Sequence, residues 1–243
     1  MLLVVALTCS WVRVQGQTIS GQNGTQDTGR VLYSENFDNY KDGTLPPGWW
    51  VEGGQSVYVE NGHLRVNADP KLTKGPGYVA TVWLKKEFSG DIQIQFDAHV
   101  ISSTIDTNNI NFFLYFSNPE KGKTLYGTRN LRLDGLYDHY FDLNGYIFTF
   151  LRPPRAKTDL ARFRLHRCPG FELIAQRFAG HSRSGEIYHI AIAKRGEELT
   201  FIVDGTVYLH AFDHKYKWTR GFIGLRTFQT DLWFDNLQVR RLP

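Results

Sequence analysis

Between Arg129 and Arg183 the chain carries ten Lys or Arg against five Asp or Glu, a net of +5 in a sequence whose total is only +4. Within that stretch Arg162, Arg164 and His166 alternate with Phe163 and Leu165. In a strand those three polar side chains share one face, over about 13 Å. Arg152 and Arg155 flank Pro153-Pro154, and Arg129 opens the stretch. The planar arginine fork matches carboxylate or sulfate, so one reading is a groove for an acidic polysaccharide. The other is a solvated face with scattered ion pairs. Beside it stands Asp134-Gly135-Leu136-Tyr137-Asp138-His139-Tyr140. These residue types suit β-elimination on a uronic acid. That chemistry needs a cation on the carboxylate, a base for the adjacent C–H and an acid for the leaving oxygen. Arg152, Arg162 and Arg164 would hold the carboxylate, His139 or His166 would be the base, and Tyr137 or Tyr140 the acid. Loops are also rich in Tyr, Asp and Gly for structural reasons alone. Trp218, in Lys215-Tyr216-Lys217-Trp218, has the most polar setting of the tryptophans, and a sugar ring could pack on it.

The elements that would position these groups read as β-strands. Residues 91–100 alternate apolar and polar side chains, so one face is buried and the other wet. Similar segments span 56–66, 78–88, 110–117, 144–151, 161–167, 171–177, 186–194, 199–204, 206–212, 221–228 and 231–241. Asn61-Gly62, Ser89-Gly90 and Asp204-Gly205 mark turns between some of them. About twelve strands and no amphipathic helix predict an antiparallel two-sheet sandwich. Residues 118–143 form the longest segment without a strand pattern, and loops of that length tend to be functional.

Glu35-Asn36-Phe37-Asp38 and Pro47-Gly48-Trp49-Trp50 near the start, with Gly221-Phe222-Ile223-Gly224-Leu225 and Trp233-Phe234-Asp235-Asn236-Leu237-Gln238-Val239 near the end, resemble the concanavalin A-like lectin/glucanase superfamily. Residues 112–117, Asn144-Gly145-Tyr146 and Arg167-Cys168-Pro169-Gly170-Phe171-Glu172 look like its YesU-like branch. The resemblance covers 31–243 and implies an all-β jelly roll of two curved sheets, a fold that carries lectins, glycosidases, lyases and binding modules. It implies a structural Ca²⁺ held by Glu35 and Asp235, whose oxygens suit that ion, with no other cofactor required. Glycosidases of this fold often carry Glu-x-Asp-x-x-Glu on one strand. No such motif occurs here, which disfavours that hydrolytic mechanism. Acids from different elements, such as Asp97, Asp134 and Glu172, leave hydrolysis open.

Composition sets the remaining bounds. Aromatic residues make up 14%, which suits strands with packed inner faces. The modest charge does not imply a nucleic-acid binder, and no apolar run is long enough for a spanning helix. The apolar residues 1–11, then Arg13 and Val14-Gln15-Gly16, read as a signal peptide over 1–16, with a flexible linker over 17–30. The expectation is a secreted or periplasmic monomer with Cys168 as its one mature cysteine, buried rather than nucleophilic. The leading function is lyase- or dehydratase-type processing of an acidic polysaccharide. A lectin-like binding module and a glycoside hydrolase are the alternatives.

Overall fold

The computed structural model describes residues 29–70, 77–153, 158–215 and 218–243. The expected signal peptide, linker residues 17–28 and Arg155 lie outside the described residues.

Alternation is clearest where a strand has one wet face. β6 (Ile92–Ser102) buries Ile92, Ile94, Phe96, Ala98 and Val100 and turns Gln93, Gln95 and Asp97 outward. It lies within a sheet of eight strands: β1 (Val31–Glu35), β3 (Ser56–Glu60), β4 (His63–Asn67), β6, β11 (Ile187–Arg195), β12 (Glu198–Val203), β13 (Thr206–Phe212) and β15 (Asp231–Arg241). The order is β13-β12-β11-β6-β15-β4-β3, and β1 pairs with the last residues of β15. The second sheet holds β2 (Trp49–Gly53), β5 (Val79–Ser89), β7 (Ile110–Ser117), β8 (Asn144–Leu151), β9 (Ala161–Cys168), β10 (Glu172–Ala179) and β14 (Arg220–Phe228). Its order is β10-β9-β8-β7-β14-β5-β2, and every pairing in both sheets is antiparallel.

The two sheets close on one core. Phe96 stacks on Phe112 at 5.5 Å, and Phe148 meets Phe201 edge-on at 5.5 Å. Each fully buried phenylalanine of this kind contributes about 2–3 kcal/mol. The result is the expected two-sheet antiparallel sandwich, with fifteen described strands rather than about twelve. Three differences explain the count. Segment 56–66 splits into β3 and β4 at the Asn61-Gly62 turn, where both residues have positive φ. β1 is short and lies at the side of β15. β2 has no polar-out face: Trp49 enters the inter-sheet core and Trp50 a second cluster on the opposite face.

That second cluster positions the site. The outer face of the seven-stranded sheet carries Trp50, Trp83, Phe113, Phe116 and Ile147, capped by Leu125, Tyr140 and Leu143 from residues 118–143. With both faces covered, β7 and β8 are apolar nearly throughout. The capping segment contains two short 3-10 turns, Arg129–Arg132 and Tyr137–Tyr140. It crosses the sheet edge where Gly53 meets Gly135. A Cβ on Gly135 would lie 2.7 Å from the Glu52 carbonyl oxygen, and one on Gly53 2.5 Å from that of Val79. Both residues have positive φ, so glycine is required there on two counts.

Candidate functional site

Strand register places one polar side chain from every strand of the seven-stranded sheet in a single row. Gln176 of β10 pairs with Arg164, Arg164 with Thr149, Thr149 with Asn111, Asn111 with Arg226, Arg226 with Thr81, and Thr81 with Glu52 of β2. Paired residues point to the same face, here the outer one, and the row runs about 29 Å at ~4.8 Å per strand. One row to one side is the capped aromatic cluster. One row to the other side, Arg162 pairs with Leu151 and Phe228 with Val79, and Leu136 and Phe141 of the cap face them across a hollow.

Between this outer row and Leu136–Phe141 lies a cleft of about 510 Å³. Arg162 and Arg164 of β9 enter it as the alternation anticipated, together with Asn109, Asn111, Tyr137 and Arg226. Many of the polar atoms here are buried without a hydrogen-bond partner: the Nε of Arg162, Arg164 and Arg226, the Tyr137 hydroxyl, Thr149 Oγ1 and Asn109 Oδ1. Among the described residues no carboxylate pairs with Arg162 or Arg164. Burial lowers the pKa of both guanidinium groups, and at Arg164 the charge of Arg162 adds to that effect. A group shifted by burial and like charge, with no counter-ion, is poised for an anion from outside.

Tyr137 meets these arginines through turn geometry. A 3-10 turn repeats every three residues, so Tyr137 and Tyr140 both face the sheet while His139 faces out and Asp138 lies exposed between the cleft and the neighbouring hollow. The Tyr137 ring lies 4.7 Å from the Arg226 guanidinium carbon. Burial raises the phenol pKa, and Arg226 and Arg164 pull it down less strongly. Desolvation thus outweighs the two cations and favours the neutral phenol.

The other expected residues are distributed differently. Tyr140 is fully buried and donates to Glu52 Oε2 at 2.8 Å. His139 faces a separate hollow with Asp142 and Leu131, 3.0 Å from Asp134 Oδ1. His166 shares the face of Arg164 but is covered by Phe171, stacked at 3.9 Å. Its Nδ1 is buried without a partner, and burial with the charges of Arg164 and Arg162 lowers its pKa to about 4. Arg152 is neutralised by Asp106 and Asp159. Arg129 stacks on Tyr126, 4.1 Å from its ring, outside the cleft. Trp218 packs on the inter-sheet core and donates Nε1 to the Cys168 carbonyl at 2.8 Å, so it offers no open platform. The Cys168 thiol is buried and pushed up to about 12. Of the expected groups, the fold therefore gathers Arg162, Arg164 and Tyr137 in one cleft.

The calcium pair is not brought together as a donor set. Glu35 accepts hydrogen bonds from the Tyr33 and Tyr40 hydroxyls and the Phe37 amide, while Asp235 faces His63 at 3.7 Å. Among the described residues no three His, Cys, Asp or Glu side chains gather as a metal site, and these two carboxylates do not fit a calcium shell. Asp97, Asp134 and Glu172 are likewise dispersed. Asp97 bonds His189 at 2.6 Å, and Glu172 bonds Arg167 and Lys215.

His166 gives a pH-dependent expectation. With its folded pKa near 4 against an ordinary 6.5, the unfolded chain binds more protons in that window. Stability should therefore fall as pH drops from about 6.5 to 4, by up to about 3 kcal/mol from this residue. Urea unfolding at a series of pH values should show a shallower slope for His166→Phe, which keeps a ring on Phe171. An unchanged slope would assign the titration elsewhere.

Residues 76–237 match the family model described as a domain of unknown function, DUF6250. No curated protein matches the chain. Among solved structures it is similar to a protein of unknown function with a galectin-like fold from Bacillus subtilis, at TM-score 0.69 and 16% identity over 88% of this chain and 97% of that one. It is also similar to carbohydrate binding module CBM66 from Bacillus subtilis, at TM-score 0.54 and 16% identity over 79% and 95% of the two chains. An endo-β-1,3-glucanase from Pyrococcus furiosus gives TM-score 0.56 and 13% identity over 87% and 94%. At these identities the likeness is one of fold: a galectin-like, concanavalin A-like jelly roll.

Proposed function

The chain belongs to the DUF6250 family, and from that premise we propose that it is a carbohydrate-binding protein that holds an acidic saccharide in the cleft of the seven-stranded sheet. The observation that carries this reading is the pair Arg162 and Arg164, half-buried in a cleft where, among the described residues, no carboxylate forms an ion pair with either. A carboxylate or sulfate on a sugar would accept their free N–H groups, with Asn109, Thr149 and Tyr137 left for ring hydroxyls. The fold supports a sugar ligand, since the similar structures include a carbohydrate binding module and a glucanase. Among the described residues no helix is long and apolar enough to cross a membrane. The YesU-like resemblance, export through residues 1–16 and a monomeric chain belong to the same proposal.

Calorimetric titration tests it. Oligosaccharides containing uronate should bind, and should bind more weakly as ionic strength rises. Uncharged oligosaccharides of the same length should bind far less. Equal affinity for the two sets, or none for either, would overturn the proposal.

One observation favours a catalytic version, β-elimination on the bound uronate. The Tyr137 hydroxyl is buried beside Thr149, and its ring is adjacent to Arg226. The arginines would neutralise the carboxylate. The neighbouring C–H proton would pass to the Asp138 carboxylate, which also lines the cleft, and the electrons of that bond would form the carbon–carbon double bond as the glycosidic oxygen departs with a proton from Tyr137. The raised phenol pKa suits a proton donor. Neither His139 nor His166 lines the cleft, so this version does not rest on a histidine. It predicts growing ultraviolet absorbance of an unsaturated uronate, reduced on the order of 10²-fold or more in Tyr137→Phe. Binding without absorbance leaves the non-catalytic reading.

A further inference from the structure

The arginine cleft does not end at β14. A second hollow, of about 280 Å³, shares Tyr78, Val79 and Leu136 with it and continues to Gly53, Gly54 and Leu133 at the edge of the sheet. Together they make a trough across the strands from β9 to β2, a span of about 24 Å. That is longer than a single sugar ring, so the trough has room for a chain.

Its two ends differ in chemistry. The β9 end holds Arg162 and Arg164. The β2 end offers Tyr78, which is 40% exposed and braced edge-on against Phe228 at 6.1 Å, with Leu133, 65% exposed, and glycine backbone. The charged side chain at this end is Asp134, whose carboxylate accepts from the Leu136 amide and from His139. Among the described residues of this hollow, a second acidic sugar would meet an aspartate and no lysine or arginine. A neutral sugar would instead lay its C–H face on the Tyr78 ring.

Resting on the acidic-saccharide reading, we propose that the trough binds a heteropolysaccharide segment in one direction, an acidic sugar at Arg162 and Arg164 and a neutral sugar at Tyr78. The ligand class is a polymer in which uronates adjoin uncharged sugars, and a uniformly charged polyuronate is selected against. Specificity then arises from an unfavourable placement at one end as well as from attraction at the other.

The test titrates three probes into the full chain: glucuronic acid, a tetramer of uronates only, and a tetramer alternating uronate with neutral hexose. The alternating tetramer should bind at least about tenfold more tightly than either of the others. In Tyr78→Ala its advantage over glucuronic acid should collapse, and in Arg164→Gln all three should weaken. If the uniform tetramer binds as well as the alternating one, or if Tyr78→Ala leaves the ratio intact, the directional trough is wrong while the acidic-saccharide site stands. If no probe binds in an Arg164-dependent way, the underlying reading fails and this inference with it.

Discussion

Glu52→Ala should cost about 3–5 kcal/mol of folding stability, the loss expected when one partner of a buried ion pair is removed. The Glu52 carboxylate is fully buried and lies 2.9 Å from Arg132, itself 3% exposed. It also accepts from the Trp50 and Trp83 indoles at 3.2 and 3.0 Å and from the Tyr140 hydroxyl at 2.8 Å. Alanine would strand a buried cation and three neutral donors, each unsatisfied group adding about 1–3 kcal/mol in the worst case. Arg132 would keep the Leu125 carbonyl at 2.7 Å and Thr128 Oγ1 at 3.2 Å, neither of which carries charge. Against a total stability of roughly 5–15 kcal/mol, the loss is large. A double-mutant cycle with Arg132→Met checks the cause. The double variant Glu52→Ala, Arg132→Met should be more stable than the sum of the singles predicts, because neither charge is then left alone. Urea denaturation of the four proteins measures this. A Glu52→Ala protein within about 1 kcal/mol of the parent would refute the role assigned to the pair.

Arg162→Met with Arg164→Met should do the opposite to stability and end binding. Each charge-assisted hydrogen bond contributes about 1.5–3 kcal/mol, so loss of both guanidinium groups should lower uronate affinity on the order of 10²-fold or more. These arginines lack carboxylate partners and repel each other. Replacing them with an apolar side chain removes that repulsion and the partial desolvation of two charges, and should therefore raise stability. Paired measurements of thermal unfolding and calorimetric titration decide. A destabilised double variant would show the arginines to be structural, and retained uronate binding would remove them from the site.

Part of the site is legible in sequence because β9 has one wet and one dry face. There, alternation of Arg162 and Arg164 with Phe163 and Leu165 fixes which way each side chain points. Tyr137 was found through its loop composition, but the separation of Tyr137 from His139 depends on a 3-10 turn that composition does not reveal. Arg226, Asn111, Thr149 and Glu52 were missed. Each is a polar residue set among mostly apolar side chains, as in Ile110–Ser117 and Asn144–Leu151. Their presence in two-sided core strands was the available sign of a buried polar row. Which of them become neighbours depends on register and strand order, which no single strand encodes. The same limit applies to Trp50 and Trp83, which resemble sugar platforms until the cap over them is known.

The polar row also bears on how the chain finds its pairing. A one-residue slip of a strand with one wet face turns its apolar side chains outward and is rejected by burial alone. A two-residue slip keeps inside and outside unchanged, so hydrophobic patterning cannot detect it. It would push Asn111, Thr149 or Arg226 beneath the aromatic cap, breaking the bond of Arg226 to Thr81. The residues that leave open valences for a ligand thus also act as a proofreading mark for strand alignment. A sheet assembled out of step would fail at the row before it could offer a cleft.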